Sequence, residues 1–515
     1  MPNPILVTKP FLPNIQDFYS KLLGLWQSRV LTNSGELHQL LEKQLKDKLD
    51  VTNLSLINNG TIALEVAIQA LDLKGKIITT PYTFIATANS ILLKGLDPVF
   101  IDIEDNGFNL DPELIDEVKD KDVSAIMPVH VYGLPCDDES IGQRAKGRGL
   151  KVIYDAAHAF GIKKKGEAIL NWGDASTLSF HATKVFHTFE GGAVVCNDPL
   201  LKNKINQVRN FGYTSDSFDI TTLGTNGKMN EAQAAMGLAL IPYLEEIITK
   251  RKHWFNFYVE QLSEIPGIKL MTIPSDLEYN YSYFPILVQS GFSLTRDELF
   301  NRFQEENIFP RKYFYPLITD FSLYKNYNII SKHKIPNARK IADSVICLPL
   351  YPDLTEDDVS RVCEVIKKAE AEGGEQRAEG GEMMDKEMYR FEKLDVWKKG
   401  LELSDRLFDM ADRTDMKHCY RFSEQLRAAA MSITNNIAEG SASTSDKDFA
   451  QFLNIARRSV FECVNILILF ERRKYITLEE LDSLKLELSS ISKMLTNLRK
   501  SLLTPKPSAL CPPLQ

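Results

Sequence analysis

The sequence predicts an α/β fold followed by a separate all-α domain. From about Leu54 to Val195, short apolar runs alternate with amphipathic helical segments, which is typical of a largely parallel sheet with crossover helices. Beyond residue 388 only helical periodicity remains. Between the two parts lies a Gly- and Glu-rich stretch in which Ala-Glu-Gly-Gly-Glu occurs twice. These observations predict two folded parts joined by a flexible, acidic linker.

The first strand of this pattern ends at a turn that opens a helix. The apolar run from Leu54 to Ile57 breaks at Asn58-Asn59-Gly60-Thr61, and helical periodicity follows. Backbone N–H groups at a helix N-terminus attract anions, and a glycine there permits close approach. Gly60 and Thr61 are therefore candidates for an anion site, with an ordinary helix N-cap as the alternative.

Two further segments place side chains where a ligand of the sheet would bind. Phe84 follows the strand that ends near Thr79, and its ring is a candidate for stacking on a planar ligand, although core packing is the commoner role of phenylalanine. Asp155 ends an apolar run that starts at Lys151 and predicts a buried parallel strand. Ligands of open α/β sheets bind beyond the carboxyl ends of strands, so Asp155 is a candidate to face a site, with a turn cap as the alternative.

A single lysine, Lys184, stands in a turn between two strand-like segments, in Ser179-Phe180-His181-Ala182-Thr183-Lys184. Taken alone, the pattern favours an exposed loop lysine. Its pairing with Asp155, about thirty residues earlier, favours instead a site in which Asp155 holds a protonated ring nitrogen and Lys184 forms a Schiff base.

Four motifs occur in the order that they have in a known family: Asn-Gly-Thr, Pro-Tyr-Thr-Phe, Asp-Ala-Ala-His and Ser-Phe-His-Ala-Thr-Lys. From about Pro10 to about Lys368 the chain resembles the DegT/DnrJ/EryC1/StrS family of pyridoxal-phosphate sugar aminotransferases. The resemblance implies pyridoxal 5'-phosphate as cofactor and fold type I of the pyridoxal-phosphate transferases, the fold of aspartate aminotransferase. It also implies a large cofactor-binding domain over residues 1–240 and a small α/β domain over residues 241–369.

The resemblance also implies a role for each motif residue. Lys184 would form the Schiff base, Asp155 would contact the pyridinium nitrogen, His158 would lie near the phenolic oxygen, and Phe84 would stack on the ring. Three residues would hold the phosphate group: Gly60, Thr61 and Ser179.

Asn210, in an Arg-Asn-Phe-Gly segment, is implied to reach across a homodimer interface and complete the partner's phosphate site. The stretch from Arg311 to Tyr313 is a candidate either to face the substrate or to form a surface loop.

The implied reaction has an amino-acid donor, usually glutamate, and a nucleotide-linked keto sugar as acceptor. A dehydratase branch of the family has histidine at the lysine position, so Lys184 favours transamination. The segment from Thr188 to Gly192 is more similar to members that aminate C4 of a dTDP-4-keto-6-deoxy sugar. His187, where close members often have asparagine, either alters substrate contacts or packs inside the loop.

Composition excludes several other classes of protein. The net charge of -8 gives no overall nucleic-acid signature, and no apolar run is long enough to span a membrane. The seven cysteines are scattered, odd in number and without metal-ligand spacing, so we expect reduced thiols, a cytoplasmic location and no metal site. The N-terminal residues lack the pattern of a signal peptide.

After a linker over residues 370–388, the pattern predicts an up-down four-helix bundle over residues 389–504, then a disordered tail over residues 505–515. The expected helices are Phe391 to Arg413, Arg421 to Glu439, Lys447 to Lys474 and Leu478 to Leu503. This part resembles the four-helix bundle family encoded in 23S ribosomal RNA intervening sequences, which implies a tendency to self-associate.

The alternative is that the bundle, as an oligomerisation or RNA-binding module, dominates the biological role and the enzyme is its cargo. From Asp385 onward there are 21 basic and 19 acidic residues, which is weak evidence for RNA. Four arginines are candidates to contact phosphates or to form ion pairs: Arg421, Arg427, Arg457 and Arg458.

Overall fold

The computed structural model describes residues 3–214, 219–326, 335–379, 390–415, 420–443 and 445–503. The chain divides into two units, Met1–Glu379 and Gly380–Gln515, and each has its own hydrophobic core. The first unit is mixed α/β and the second is helical, so the predicted fold class is confirmed.

The strands of the first unit are β1 Ile5–Leu6, β2 Asn53–Ile57, β3 Lys76–Thr79, β4 Asp97–Phe100, β5 Val123–Ile126, β6 Lys151–Asp155, β7 Lys163–Lys164, β8 Glu167–Ala168, β9 Ala175–Ser179, β10 Gly192–Cys196, β11 Ile268–Leu270, β12 Leu277–Glu278, β13 Phe284–Val288, β14 Ile308–Phe309 and β15 Val345–Leu348. Its helices are α1 Ile15–Ser28, α2 Glu36–Leu49, α3 Gly60–Ala70, α4 Ile85–Leu93, α5 Asp138–Arg148, α6 Pro199–Val208, α7 Glu231–Leu240, α8 Leu244–Leu262, α9 Arg296–Glu305, α10 Ser322–Asn326, α11 Pro336–Ser344 and α12 Glu356–Glu379.

Among the described residues, seven strands form the main sheet in the order β2-β10-β9-β6-β5-β3-β4. Strand β10 runs antiparallel to both of its neighbours, and the other pairs are parallel. The central strands β6, β9 and β10 are buried along nearly their whole length, as expected where helices cover both faces of a sheet. The carboxyl ends of β6 and β9 therefore meet at one edge of the sheet, with Asp155 and Ser179 as their last residues.

A smaller antiparallel sheet, in the order β11-β13-β15, follows later in the chain. Its buried residues share one core with those of the main sheet, so that Phe284 of β13 and Phe160 near β6 belong to the same apolar cluster. The boundary at residue 240 falls between α7 and α8.

Helix α12 continues through the first ten residues of the predicted linker, to Glu379. Alanine, glutamate, glutamine and arginine dominate this stretch, and all of them favour helix strongly enough to offset the two glycines. Residues 380–388 lie outside the described residues.

The second unit consists of α13 Asp395–Asp415, α14 Tyr420–Ser441, α15 Asp446–Arg472 and α16 Leu478–Leu503. Consecutive helices pack together and α13 also contacts α16, which closes a four-helix bundle around leucine, isoleucine and alanine side chains. The predicted tail, residues 505–515, lies outside the described residues. No helix in the described ranges has the length and apolar character needed to cross a lipid bilayer.

Candidate active site

A cavity of about 570 Å³ opens where the carboxyl ends of β6 and β9 meet the N-terminus of α3. Seven of the eight residues predicted from the sequence line it: Gly60, Thr61, Phe84, Asp155, His158, Ser179 and Lys184. The fold therefore brings together residues that are spread over more than a hundred positions of the chain.

Asp155 is buried at the end of β6 and its carboxylate is held by two hydrogen bonds. Thr87 Oγ1 donates to Oδ2 at 2.7 Å, and the backbone N–H of Ala157 donates to Oδ1 at 3.1 Å. Burial raises the pKa of Asp155, while these two hydrogen bonds and the positive charge of Lys184 act to lower it. The Asp155 carboxylate is therefore a hydrogen-bond acceptor that lines the cavity, is held in place and is shielded from water.

His158 is buried three residues further on, and its hydrogen bonding determines its tautomer. The backbone N–H of Tyr132 donates to Nδ1 at 3.0 Å, so Nδ1 accepts and the proton of the neutral ring belongs on Nε2. Burial, and secondarily the charge of Lys184, hold the pKa of His158 well below its usual value. His158 therefore offers an N–H donor at Nε2 without carrying a charge.

Lys184 lies in the loop between β9 and β10, where the burial of its neighbours Val185 and Phe186 anchors the turn. Its backbone N–H donates to the carbonyl of His181 at 2.9 Å. Nζ donates to Tyr283 Oη at 3.2 Å. Desolvation lowers the pKa of Lys184 to about 8, against an opposing effect of Asp155. A substantial neutral fraction is thus present near neutral pH, as a nucleophilic amine requires.

The N-terminus of α3 forms a tight cradle against the end of β9. Asn59 caps the helix by accepting the N–H of Ile62 at 2.9 Å, which leaves the N–H groups of Gly60 and Thr61 directed outward from the first turn. A Cβ at Gly60 would lie only 2.8 Å from Ser179 Cβ. Only glycine therefore permits this close approach of helix and strand.

Phe84 immediately precedes α4 and 58 % of its surface is exposed, although it lines the cavity. An exposed phenylalanine ring at a cavity is unlike a core residue, and its face is available to a planar ligand.

Pyridoxal phosphate fits this set of side chains. A phosphate matches the N–H groups and the glycine cradle at α3, a cationic ring nitrogen matches the buried Asp155 carboxylate, and an aldehyde matches the Lys184 amine.

Asn210 is the one predicted site residue that does not line the cavity. It follows α6, pairs with Asn226 in an isolated β-bridge, and accepts a hydrogen bond from Lys228 Nζ at 2.8 Å. Its assignment to a partner's site stays a prediction. His187 is buried and its Nε2 lies 2.7 Å from the carbonyl oxygen of Phe11, so it packs inside the loop and does not face the cavity.

Several side chains at the site were missed by sequence reasoning. Thr87 contacts Asp155, while Tyr283, Tyr313 and Phe314 line the cavity from the later part of the chain. Tyr313 lies in a stretch that the sequence left open between substrate contact and surface loop. No local pattern marks the other three, because each is an ordinary residue of its own segment.

Comparison with known proteins agrees with this geometry. The model of the DegT/DnrJ/EryC1/StrS aminotransferase family matches residues 15–367, and the model of the 23S rRNA-intervening sequence protein family matches residues 392–497. The chain is 49% identical over 369 residues to dTDP-4-amino-4,6-dideoxy-D-glucose transaminase of Shigella dysenteriae, covering 72% of this chain and 100% of that protein. The Escherichia coli protein of the same name is 43% identical over 363 residues, covering 70% of this chain and 98% of that protein.

A solved structure of DesI in the presence of its TDP-sugar product superimposes with a TM-score of 0.69. It is 30% identical, and the match covers 74% of this chain and 96% of DesI. The shared fold, the family match and the similarity over nearly the whole length of these relatives lead to one conclusion. The chain belongs to the DegT/DnrJ/EryC1/StrS family and is a pyridoxal-phosphate-dependent aminotransferase joined to a four-helix bundle.

Proposed function

We propose that the enzyme transfers an amino group from an amino acid, glutamate, to the C4 keto group of a dTDP-4-keto-6-deoxyhexose in the synthesis of amino sugars for surface polysaccharide. The observation that supports this proposal most strongly is the cavity lined by both Lys184, whose pKa is lowered, and the buried carboxylate of Asp155. Relatives named for a 4-amino-4,6-dideoxyglucose product, at 49% and 43% identity, support the choice of C4.

When bound, pyridoxal phosphate supplies an aldehyde that takes up the amino group and a ring that stores electrons. Lys184 holds the cofactor through Nζ and, when free, moves a proton at that atom. Because the pKa of Lys184 lies at about 8, Nζ can both accept and return the proton that the amino donor loses from its α carbon. Lys184 is thus the catalytic base and acid in this proposal.

Asp155 and His158 set the electronic state of the site. Asp155, ionised and held by Thr87 and Ala157, keeps a proton on the ring nitrogen through a charge-assisted hydrogen bond. His158, with its proton on Nε2, donates to the phenolic oxygen. Phe84 stacks against the ring face.

The phosphate binds at the cradle formed by Gly60, Thr61 and Ser179, and Asn210 completes the phosphate site of a second copy. An apolar stripe on α1 supports a homodimer: Ile15, Tyr19, Leu23 and Trp26 are spaced for one helix face and are 67, 51, 46 and 76 % exposed. We infer that the second copy covers this stripe.

For the bundle we propose oligomerisation. RNA binding is less favoured because Arg427 pairs with Asp412 and Glu424, and Arg457 is half-buried and lies over the Phe461 ring. A dimeric enzyme tethered to a bundle that associates with a different symmetry forms larger assemblies. Light scattering of the whole chain tests this, and a simple dimer contradicts it.

Incubation of the purified chain with pyridoxal phosphate, glutamate and dTDP-4-keto-6-deoxyglucose tests the enzymatic proposal, with Lys184→Ala as control. We expect a dTDP-amino sugar from the wild type and none from the variant. If no amino sugar forms although glutamate alone still converts the bound cofactor, the proposed sugar acceptor is wrong, whereas the aminotransferase activity itself is retained as a conclusion.

A further inference from the structure

Tyr283 stands directly before β13 and reaches the cavity from the later part of the first unit. Its hydroxyl oxygen accepts the hydrogen bond from Lys184 Nζ at 3.2 Å, and Nζ lies 5.8 Å from the centre of the Tyr283 ring. Neither of the two carboxylates that line the cavity, Asp155 and Glu190, forms an ion pair with Nζ within 4.0 Å in the described structure. Tyr283 is therefore the side chain that sets the position of the free amine.

The backbone around Tyr283 is attached to the loop that carries His158. The buried Asn280 donates through Nδ2 to the carbonyls of His158 and Phe160, both at 3.0 Å. Ser282 Oγ adds a hydrogen bond to the His158 carbonyl at 3.3 Å. These three bonds tie the segment before β13 to the loop after β6, so Tyr283 keeps a constant position relative to the cofactor-binding residues.

The Tyr283 ring is also enclosed by other rings. The centroid of His158 lies at 4.6 Å, that of Tyr132 at 5.7 Å and that of Tyr313 at 6.0 Å. Burial raises the pKa of Tyr283, so the phenol stays protonated and its oxygen accepts from Nζ as a neutral group. The Tyr283 hydroxyl can therefore hold the Lys184 amine through a hydrogen bond to a neutral oxygen, which the amine can leave again.

We propose that Tyr283 is a positioning residue that holds the Lys184 amine whenever that amine is not bonded to the cofactor. This rests on the proposed function, in which Lys184 alternates between a bonded state and a free, proton-carrying state. The hydrogen bond to Oη confines Nζ to one place in the cavity, from which it accepts and returns the proton of the amino donor. Tyr283 acts only through Lys184 and exchanges no proton itself.

The first test compares Tyr283→Phe with Tyr281→Phe in the apoenzyme. The control removes a hydroxyl from the same segment, from a ring that packs on Phe255 and Tyr279 and does not line the cavity. Labelling of Lys184 by cyanate, followed by peptide mass spectrometry, reports how firmly the amine is held. Loss of one hydrogen bond is expected to raise the labelling rate about threefold to tenfold in Tyr283→Phe and to leave it unchanged in Tyr281→Phe.

The second test follows the absorbance of the bound cofactor after mixing with saturating glutamate, without any sugar. In Tyr283→Phe we expect the rate to fall about tenfold to a hundredfold, with the dissociation constant of pyridoxal phosphate and the KM for glutamate unchanged. Unchanged labelling or an unchanged glutamate rate overturns the proposal. A lowered melting temperature or loss of cofactor also overturns it, since either result indicates a structural role. If the wild type itself does not respond to glutamate, the proposed function fails, whereas the labelling result still decides the contact.

Discussion

Replacement of Gly60 by alanine tests the phosphate cradle directly. The new Cβ would lie 2.8 Å from Ser179 Cβ, 3.1 Å from its Oγ and 3.2 Å from its Cα. Carbon atoms pack best at about 3.5–4.0 Å, so α3 and β9 must separate by about 0.7 Å or more. Because Ser179 ends a strand in the middle of the sheet, most of the movement falls on the first turn of α3, where the phosphate is expected to bind.

Overpacking of this kind costs about 1–3 kcal/mol. If the cost falls on the cradle, affinity for pyridoxal phosphate drops about 5- to 150-fold, since each 1.4 kcal/mol is about tenfold. Equilibrium binding of the cofactor to the apoenzyme, read from its visible absorbance, measures this loss. Gly142→Ala is the matched control, because a Cβ at this position in α5 meets no atom within 4 Å.

The control is expected to bind the cofactor like the wild type and to gain up to about 1 kcal/mol of stability from the better helix former. Wild-type affinity of Gly60→Ala, at an unchanged melting temperature, would refute the assignment of this turn to the phosphate. A lowered melting temperature with unchanged affinity would show that the close approach serves packing alone.

Three further predictions concern the proton carrier, the carboxylate and the bundle. In the apoenzyme, covalent capture of pyridoxal phosphate by Lys184 should accelerate as pH rises through about 8, because the neutral amine is the nucleophile; a pH-independent rate contradicts this. Thr87→Val removes the donor to Asp155 Oδ2, which raises the pKa of Asp155, so the acid limb of the pH profile for the glutamate reaction should move to higher pH. An unmoved limb would show that Thr87 does not act on Asp155. In the bundle, Gly440→Ala places a Cβ 2.6 Å from Phe452 Cβ and should destabilise this unit by about 1–3 kcal/mol without affecting transamination. Gly400→Ala, whose Cβ would have its nearest contact at 3.4 Å, should leave the stability of the bundle unchanged. Differential scanning calorimetry measures both variants, and equal destabilisation by the two would contradict the prediction.

The parts of the site that were predictable from sequence are those that depend on local pattern. Asp155 ends a buried apolar run, Gly60 breaks a strand before a helix, and Lys184 stands in a turn between two strands. Each of these features is visible within about ten residues, and the carboxyl ends of parallel strands meet at one edge in any such sheet. Local pattern and fold class therefore made these residues candidates for one site, and their pairing and the resemblance to the family decided between a site and the alternatives.

The residues that escaped prediction depend on contacts between distant segments. Thr87 donates to a carboxylate 68 positions later, and Tyr283 accepts from a lysine 99 positions earlier. Nothing in their own segments distinguishes them from other threonines and tyrosines. The predicted role of Asn210 involves a second copy of the chain, and hydrogen bonding within one copy does not specify it.

Transfer of nitrogen from glutamate labelled with nitrogen-15 to dTDP-4-keto-6-deoxyglucose tests the central proposal most directly. NMR of the purified product locates the label on the sugar. We predict one labelled amino group, attached to C4, with no product from Lys184→Ala. A label on C3 would contradict the proposed reaction. An unlabelled sugar, recovered from a reaction in which glutamate has transferred its amino group to the bound cofactor, would also contradict it.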